Sequence, residues 1–237
     1  MTERSWTIVS RGADASGGRG GRRKSGASGE RPRGALTGPR EVLPGGGRPR
    51  IALGVSGGIA AYKAAEVVRG LVKAGAEVHV IMTEGGRQFI TPLTLQTLSG
   101  QPVMTDQWDL SQGPDIQHIA LTKGLDLLLV APATADILAK FAHGIADDFL
   151  STFYLAVTAP VLVAPAMNVG MWEHPATQAN LGILKGRGVR ILAPEEGTLA
   201  CGDEGIGRMA DPESIVAAAL GTGKKKLRGR LKDAASS

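Results

Sequence analysis

The sequence predicts a doubly wound α/β domain, and three observations predict it. Five short apolar runs recur along the chain, and residues with helical spacing fill several of the intervals between them. The 43% hydrophobic content comes with only 4% aromatics, so the core is built from Ala, Val, Leu and Ile, as in many α/β proteins.

The elements follow in order. Residues 51–55 (IALGV) are the first predicted strand. Ile59, Tyr62, Ala65, Val68 and Val72 then fall at spacings of three and four, which predicts a helix over 59–74. Residues 77–82 (EVHVIM), 125–130 (LDLLLV), 160–164 (PVLVA) and 189–193 (VRILA) supply the remaining strands. Such runs suit strands buried on both faces of a parallel sheet. Helical regions are expected at 135–157 and 176–186. In sheets of this kind ligands bind outside the carboxyl ends of the strands, so the residues after each run are the site candidates.

Charge divides the 237 residues into three parts. Residues 1–50 carry 11 basic and 4 acidic residues (11 − 4 = +7), 51–220 carry 10 and 17 (10 − 17 = −7), and 221–237 carry 6 and 1 (6 − 1 = +5). The basic balance therefore belongs to the ends, and an acidic body argues against nucleic-acid binding. The domain is expected over 49–220. Residues 1–48, Gly-, Arg- and Ser-rich, are expected to be disordered, because they bury too little surface to offset their ordering entropy. A solvated extension, a targeting peptide and translated sequence upstream of the true start compete as readings, and the lack of an amphipathic face favours the first and third. Residues 221–237 read as a basic tail or linker stub. No apolar run reaches the ~18–20 residues of a membrane span. One cysteine excludes a disulfide framework, fits a reducing compartment and so a cytoplasmic protein.

The first strand runs into Gly54-Val55-Ser56-Gly57-Gly58-Ile59. Glycines here let backbone approach a ligand, the helix start offers N–H groups to a phosphate, and Ser56 adds a hydroxyl. A tight turn that needs glycine only for its geometry is the competing reading. Thr83, after the second strand, reads as a helix cap or a ligand hydroxyl. In APATAD (131–136), Pro132 is expected to stop the strand and Thr134 or Asp136 to cap the next helix, with a second set of donors as the functional reading. Ala166, Met167, Asn168, Met171 and Trp172 form a mixed apolar and amide surface suited to a flat heteroaromatic ring. Core packing is the plain reading for Met and Trp, but Asn168 needs partners. After the last strand, ACGDEGIGRM (200–209) reads as a mobile glycine-rich loop carrying the only thiol, Cys201, and one Arg. Of four histidines, His118 is mildly preferred for the site, while His79, His143 and His174 read as structural or surface residues. No histidine–carboxylate pair has ligand spacing, which argues against a metal.

SGGIAAYK (56–63), QHIAL (117–121), APATAD, PAMNVGMW (165–172) and ACGDEGIGRM together resemble the phosphopantothenoylcysteine decarboxylase family, within the homo-oligomeric flavin-containing cysteine decarboxylases. The resemblance covers about residues 50–220. It implies a Rossmann-like (flavodoxin-like) three-layer α/β/α subunit, FMN as cofactor, and trimers or dodecamers built from them. It implies FMN contacts from Ser56, Gly57, Gly58, Ile59, Thr83, Thr134, Ala135, Asp136, Ile137 and Ala166. It also implies His118, Asn168 and Cys201 as catalytic residues, with Asn168, Met171, Cys201 and Gly202 against the substrate. The APATAD form is similar to bacterial versions fused to a phosphopantothenate–cysteine ligase; a natural stand-alone protein, a fragment and a truncated reading frame compete as readings, and a separate ligase is the expected partner under the first.

The implied reaction converts 4′-phosphopantothenoylcysteine to 4′-phosphopantetheine in coenzyme A biosynthesis. Direct loss of CO2 would leave an unstabilised carbanion. Removing two electrons from the thiol carbon gives a thioaldehyde, the carboxylate is then β to C=S, and CO2 leaves to form an enethiolate. A returned hydride and a proton complete a reaction with no net redox change. Alternatives are a peptidyl-cysteine decarboxylase of the same family, a flavin prenyltransferase of the same fold, a non-catalytic FMN-binding regulatory subunit, and a plain nucleotide-binding module.

Overall fold

The computed structural model describes residues 48–108, 121–198, 202 and 204–221. Five strands, β1 (Arg50–Val55), β2 (Glu77–Met82), β3 (Leu127–Ala133), β4 (Val161–Pro165) and β5 (Arg190–Ile191), form one sheet in the order β2-β1-β3-β4-β5. Every neighbouring pair is parallel. This is the flavodoxin-like order, and the five expected runs supply its strands. The chain leaves β1 for β2 on one side and returns to β3 on the other. The carboxyl ends of β1 and β3 therefore flank the switch point, where such sheets bind ligands.

Both faces of the sheet are buried. All seven residues of β3 are inaccessible to solvent. Leu127, Leu129 and Ala131 point to one face, where they meet Val67, Val68 and Leu71 of α1 (Ala64–Lys73), Leu95 of α3 (Pro92–Ser99) and Ile215 of a final helix over 212–221. Leu128 and Val130 point to the other. There they meet Ile137 and Phe141 of α4 (Ala135–His143), Phe153 of α5 (Phe149–Ala156), and Leu181 of α7 (Pro175–Gly186). Each fully buried aliphatic side chain contributes about 1.5–3 kcal/mol, so the strand needs no polar alternation to fix its place.

Four expectations are corrected. First, residues 59–74 do not form one helix with Ile59 and Tyr62 on its buried stripe. Ile59–Lys63 is a 3-10 turn ahead of α1, and Ile59 and Tyr62 are 56% and 53% exposed. The tighter turn moves the buried stripe to Ala61, Ala64, Val67, Val68 and Leu71. Second, the helical region 135–157 is two helices. Gly144, at φ 70°, takes the left-handed conformation that ends α4. Third, Pro132 does not stop its strand: β3 continues to Ala133 through a register shift against β4. Fourth, part of the expected glycine-rich loop is regular. β6 (Glu195–Thr198) and β7 (Glu204–Arg208) pair as a separate antiparallel hairpin.

The start of α5 is built by two side chains. Asp148 accepts from Ser151 N at 2.8 Å while the Ser151 hydroxyl accepts from Asp148 N at 3.1 Å, a reciprocal capping box. Asp148→Ala is expected to cost about 1–2 kcal/mol, and to lower Tm by about 2–8 °C. Calorimetry of the two proteins checks this.

Candidate active site

Three turns converge at the carboxyl end of the sheet. Ser56, following β1, is buried, and its hydroxyl donates to Pro132 O at 2.8 Å and accepts from Thr134 N at 3.0 Å. The hydroxyl expected to reach a ligand is thus committed to joining the ends of β1 and β3. Ser56 shapes the turn from behind. Gly57 packs on the next turn so closely that a Cβ there would lie 2.8 Å from the backbone of Gly85. Gly85 belongs to α2 (Glu84–Arg87), whose N-cap Thr83 accepts from Gly86 N at 3.1 Å. The third turn is that of Thr134, which accepts from Ile137 N at 3.4 Å and caps α4. Each threonine therefore accepts one helix bond and keeps its O–H proton as a donor.

A fourth turn carries Asn168. Ala166 N donates to Ala133 O at 3.1 Å and Met167 N donates to Gly207 O at 3.0 Å, so this turn is tied to both β3 and the hairpin. Asn168 caps α6 (Val169–Glu173), its Oδ1 accepting from Gly170 N at 2.8 Å. The partner that an Asn among apolar residues requires is, in part, its own helix.

These turns enclose a cavity of about 940 Å3. Gly57, Gly58, Ile59, Thr83, Thr134, Asp136, Ala166, Asn168 and Met171 line it. Of the other expected site residues, Ile137 is buried beneath, contributing its N–H to the Thr134 cap, and Ala135 is half-buried beside it. Gly202 is exposed at φ 89° and is not among the lining residues. His118 and Cys201 lie outside the described residues. Lys63, Tyr62, Lys140, Asp148, Thr198 and Arg208 also line the cavity and were not legible as site residues. The single arginine of ACGDEGIGRM was the one signal that pointed toward them.

The cavity's charges are arranged in two groups. Lys140 lies 3.5 Å from Asp136, 3.0 Å from Asp147 and 3.3 Å from Asp148. Burial works to lower the Lys140 ammonium, but hydrogen bonds to Asp147 and Asp148 with the charge of Asp136 outweigh it and hold the pKa above its ordinary value. Arg208 Nη2 donates to Glu195 Oε2 at 2.9 Å, and Asp211 N donates to Glu195 Oε1 at 3.0 Å. The Arg208 bond, then that N–H, hold the Glu195 carboxyl below its ordinary range. The remaining histidines do structural work: His79 pairs with Glu77 at 2.6 Å, His143 with Asn180 at 2.9 Å, and His174 caps α7. Among the described residues, no group of three His, Cys, Asp or Glu is placed to hold a metal ion, and no helix is long and apolar enough to cross a membrane.

Known proteins resemble this chain in sequence and fold. The model of the flavoprotein family matches residues 45–222. The coenzyme A biosynthesis bifunctional protein CoaBC of Vibrio vulnificus is 50% identical over 168 residues, 71% of this chain and 42% of that protein. The Escherichia coli CoaBC is 53% identical over 167 residues, 70% of this chain and 41% of that protein. The chain thus spans about two fifths of the length of these relatives. Among solved structures, a PPC decarboxylase mutant complexed with pantothenoylaminoethenethiol superposes with a TM-score of 0.66 at 34% identity, covering 72% of this chain and 96% of that one. The FMN-dependent cysteine decarboxylase SpaF gives 0.65 at 36%, covering 74% and 97%. With its switch-point cavity, its family match over most of the sequence and solved relatives covered almost end to end, the chain belongs to the flavoprotein family.

Proposed function

We propose that this protein is an FMN-dependent decarboxylase that converts 4′-phosphopantothenoylcysteine to 4′-phosphopantetheine. The observation that carries the reading is the Asn168 turn, held between the switch point and the hairpin whose second strand is the EGIGR of ACGDEGIGRM.

The donor set fits FMN. The Gly57–Gly58 turn leaves a backbone cradle that a Cβ at Gly57 would disrupt by striking Gly85. The free O–H protons of Thr83 and Thr134 suit a phosphoryl and polyol chain, and the N–H groups opening the 3-10 turn lack intrahelical partners. Ala166 and Met171 offer apolar surface to a ring. When bound, FMN supplies a reversible two-electron acceptor, which makes the oxidation level needed for CO2 loss accessible.

The chain's own residues then have separate tasks. The Asn168 Oδ1 is held by Gly170 N, which fixes the amide plane and presents its NH2 as a donor to the substrate carboxylate. Met171 walls that position. His118 assists thiol deprotonation or orients the substrate, and Cys201 supplies the proton that completes the final reduction. Cys201→Ser is expected to release CO2 but to yield less than about a tenth of the normal product. Separate assays of CO2 and thiol product check it. Trimers or dodecamers and a cytoplasmic setting complete the reading, in which 49–220 is the catalytic domain.

The deciding experiment is mass-spectrometric. Protein with FMN and synthetic 4′-phosphopantothenoylcysteine should show loss of CO2 and formation of 4′-phosphopantetheine. Unchanged substrate with flavin bound would favour a peptidyl-cysteine decarboxylase or a regulatory subunit. Unchanged substrate without bound flavin would reject the cofactor assignment itself.

A further inference from the structure

The cavity is large for a small-molecule site. At about 940 Å3 it lies at the upper end of the range of about 300–1,000 Å3 seen for small-molecule sites. Two of its lining residues, Lys63 and Arg208, carry positive charge, the first at the closing end of the turn whose opening N–H groups serve the cofactor cradle and the second on the hairpin. Lys63 ends the 3-10 turn, and Arg208 ends β7.

Their states differ in an informative way. Arg208 is held on one side by Glu195, with Asp211 a further acid acting on it. Glu195 is itself anchored, because its second oxygen takes Asp211 N at the start of the last helix. One nitrogen of the guanidinium is therefore committed and the fork is fixed in place, while its other N–H groups remain donors. Lys63 takes part in none of the ion pairs among the described residues, although it is half-buried and near enough for its charge to act on Glu195. The hydroxyls of Tyr62 and Thr198 line the same cavity. A fixed guanidinium, an unpaired ammonium and two hydroxyls suit a tetrahedral dianion. A peptide ending in cysteine brings no such group, whereas 4′-phosphopantothenoylcysteine carries one at the end away from its carboxylate.

We propose that Arg208 and Lys63 form a second anion subsite that takes the 4′-phosphate of the substrate and so selects phosphopantothenoyl over peptidyl cysteine. The assignment rests on the decarboxylase reading for its ligand. Glu195 acts as a positioning residue that aims the Arg208 fork.

The test compares wild-type protein, Arg208→Gln and Lys63→Gln, all loaded with FMN, in two assays. Turnover is measured with 4′-phosphopantothenoylcysteine and with pantothenoylcysteine. Binding of the non-reacting pair 4′-phosphopantothenate and pantothenate is measured by calorimetry. The subsite predicts that wild-type protein binds the phosphorylated member of the second pair about tenfold or more tightly. Each variant should lose most of that preference, mainly through KM in turnover, with its FMN affinity within about twofold of wild type. Lys63→Gln breaks no ion pair among the described residues, so it reads the subsite even if Arg208→Gln loosens the hairpin. Equal binding and turnover of phosphorylated and dephosphorylated compounds would overturn the subsite and leave the decarboxylase standing. Loss of FMN in step with activity would also overturn it, by giving the two cations to the cofactor. Phosphate-dependent binding without any turnover would support the subsite and reject the decarboxylase.

Discussion

Asn168→Asp is expected to abolish most decarboxylation while leaving the fold intact. Asp is as good an N-cap as Asn, so the bond from Gly170 N that starts α6 survives the change. Under the proposed function, what changes is the group meant to face the substrate carboxylate. A neutral donor becomes an anion opposite a carboxylate, and the favourable bond turns into repulsion. Removing one such preorganised contact costs about 10²–10³ in rate, and added like charge places the loss at the upper end. CO2 release measured beside Tm separates the two effects. A fall of a hundredfold or more with Tm unchanged is the expected result, and wild-type turnover would remove Asn168 from the mechanism.

Gly57→Ala should fail in a different way. A methyl at this position would sit 2.8 Å from both Cα and C of Gly85 and 3.1 Å from its O. Those are backbone atoms, so no rotamer change relieves the clash, and one turn must retreat from the other. Overpacking of this kind costs about 1–3 kcal/mol. The retreat also spreads the cavity wall formed by Thr83 and Gly57–Ile59, the proposed flavin cradle. Flavin retention is expected to drop by at least about tenfold, since each 1.4 kcal/mol is tenfold in affinity. Equilibrium dialysis against FMN measures it. Gly58→Ala is the control, because its Cβ would meet only Thr134 Cγ2, at a tolerable 3.4 Å.

The parts of the fold that were legible in the sequence are those decided locally. β3 could be read because burial on both faces makes it apolar without alternation, and the start of α4 because Thr134 precedes a helical pattern, though not its end at Gly144. Ile59 and Tyr62 misled because a 3-10 turn and an α-helix place the same spacing on different faces. The hairpin could not be read. EEGT and EGIGR are polar and glycine-rich, and they pair only because a nonlocal contact brings them together. The site divides in the same way. Asn168, Thr83 and Thr134 follow strands and announce themselves by position. Ser56 follows its strand as expected, but its hydroxyl is used by Pro132 O and Thr134 N, which no spacing rule reveals. Lys63 and Arg208 are 145 residues apart (208 − 63) and converge only through tertiary structure.

The β6–β7 hairpin also sets a hierarchy of opening events. A two-stranded ribbon is marginal by itself, and this one is separate from the main sheet, with a backbone bond from Met167 N to Gly207 O among its ties to the rest. The amides of β3 can exchange with solvent only when the whole domain unfolds, whereas those of the ribbon need only a local excursion. Hydrogen exchange should therefore separate the two by orders of magnitude. The wall of the cavity that bears Arg208 thus rests on the less protected of the two sheets.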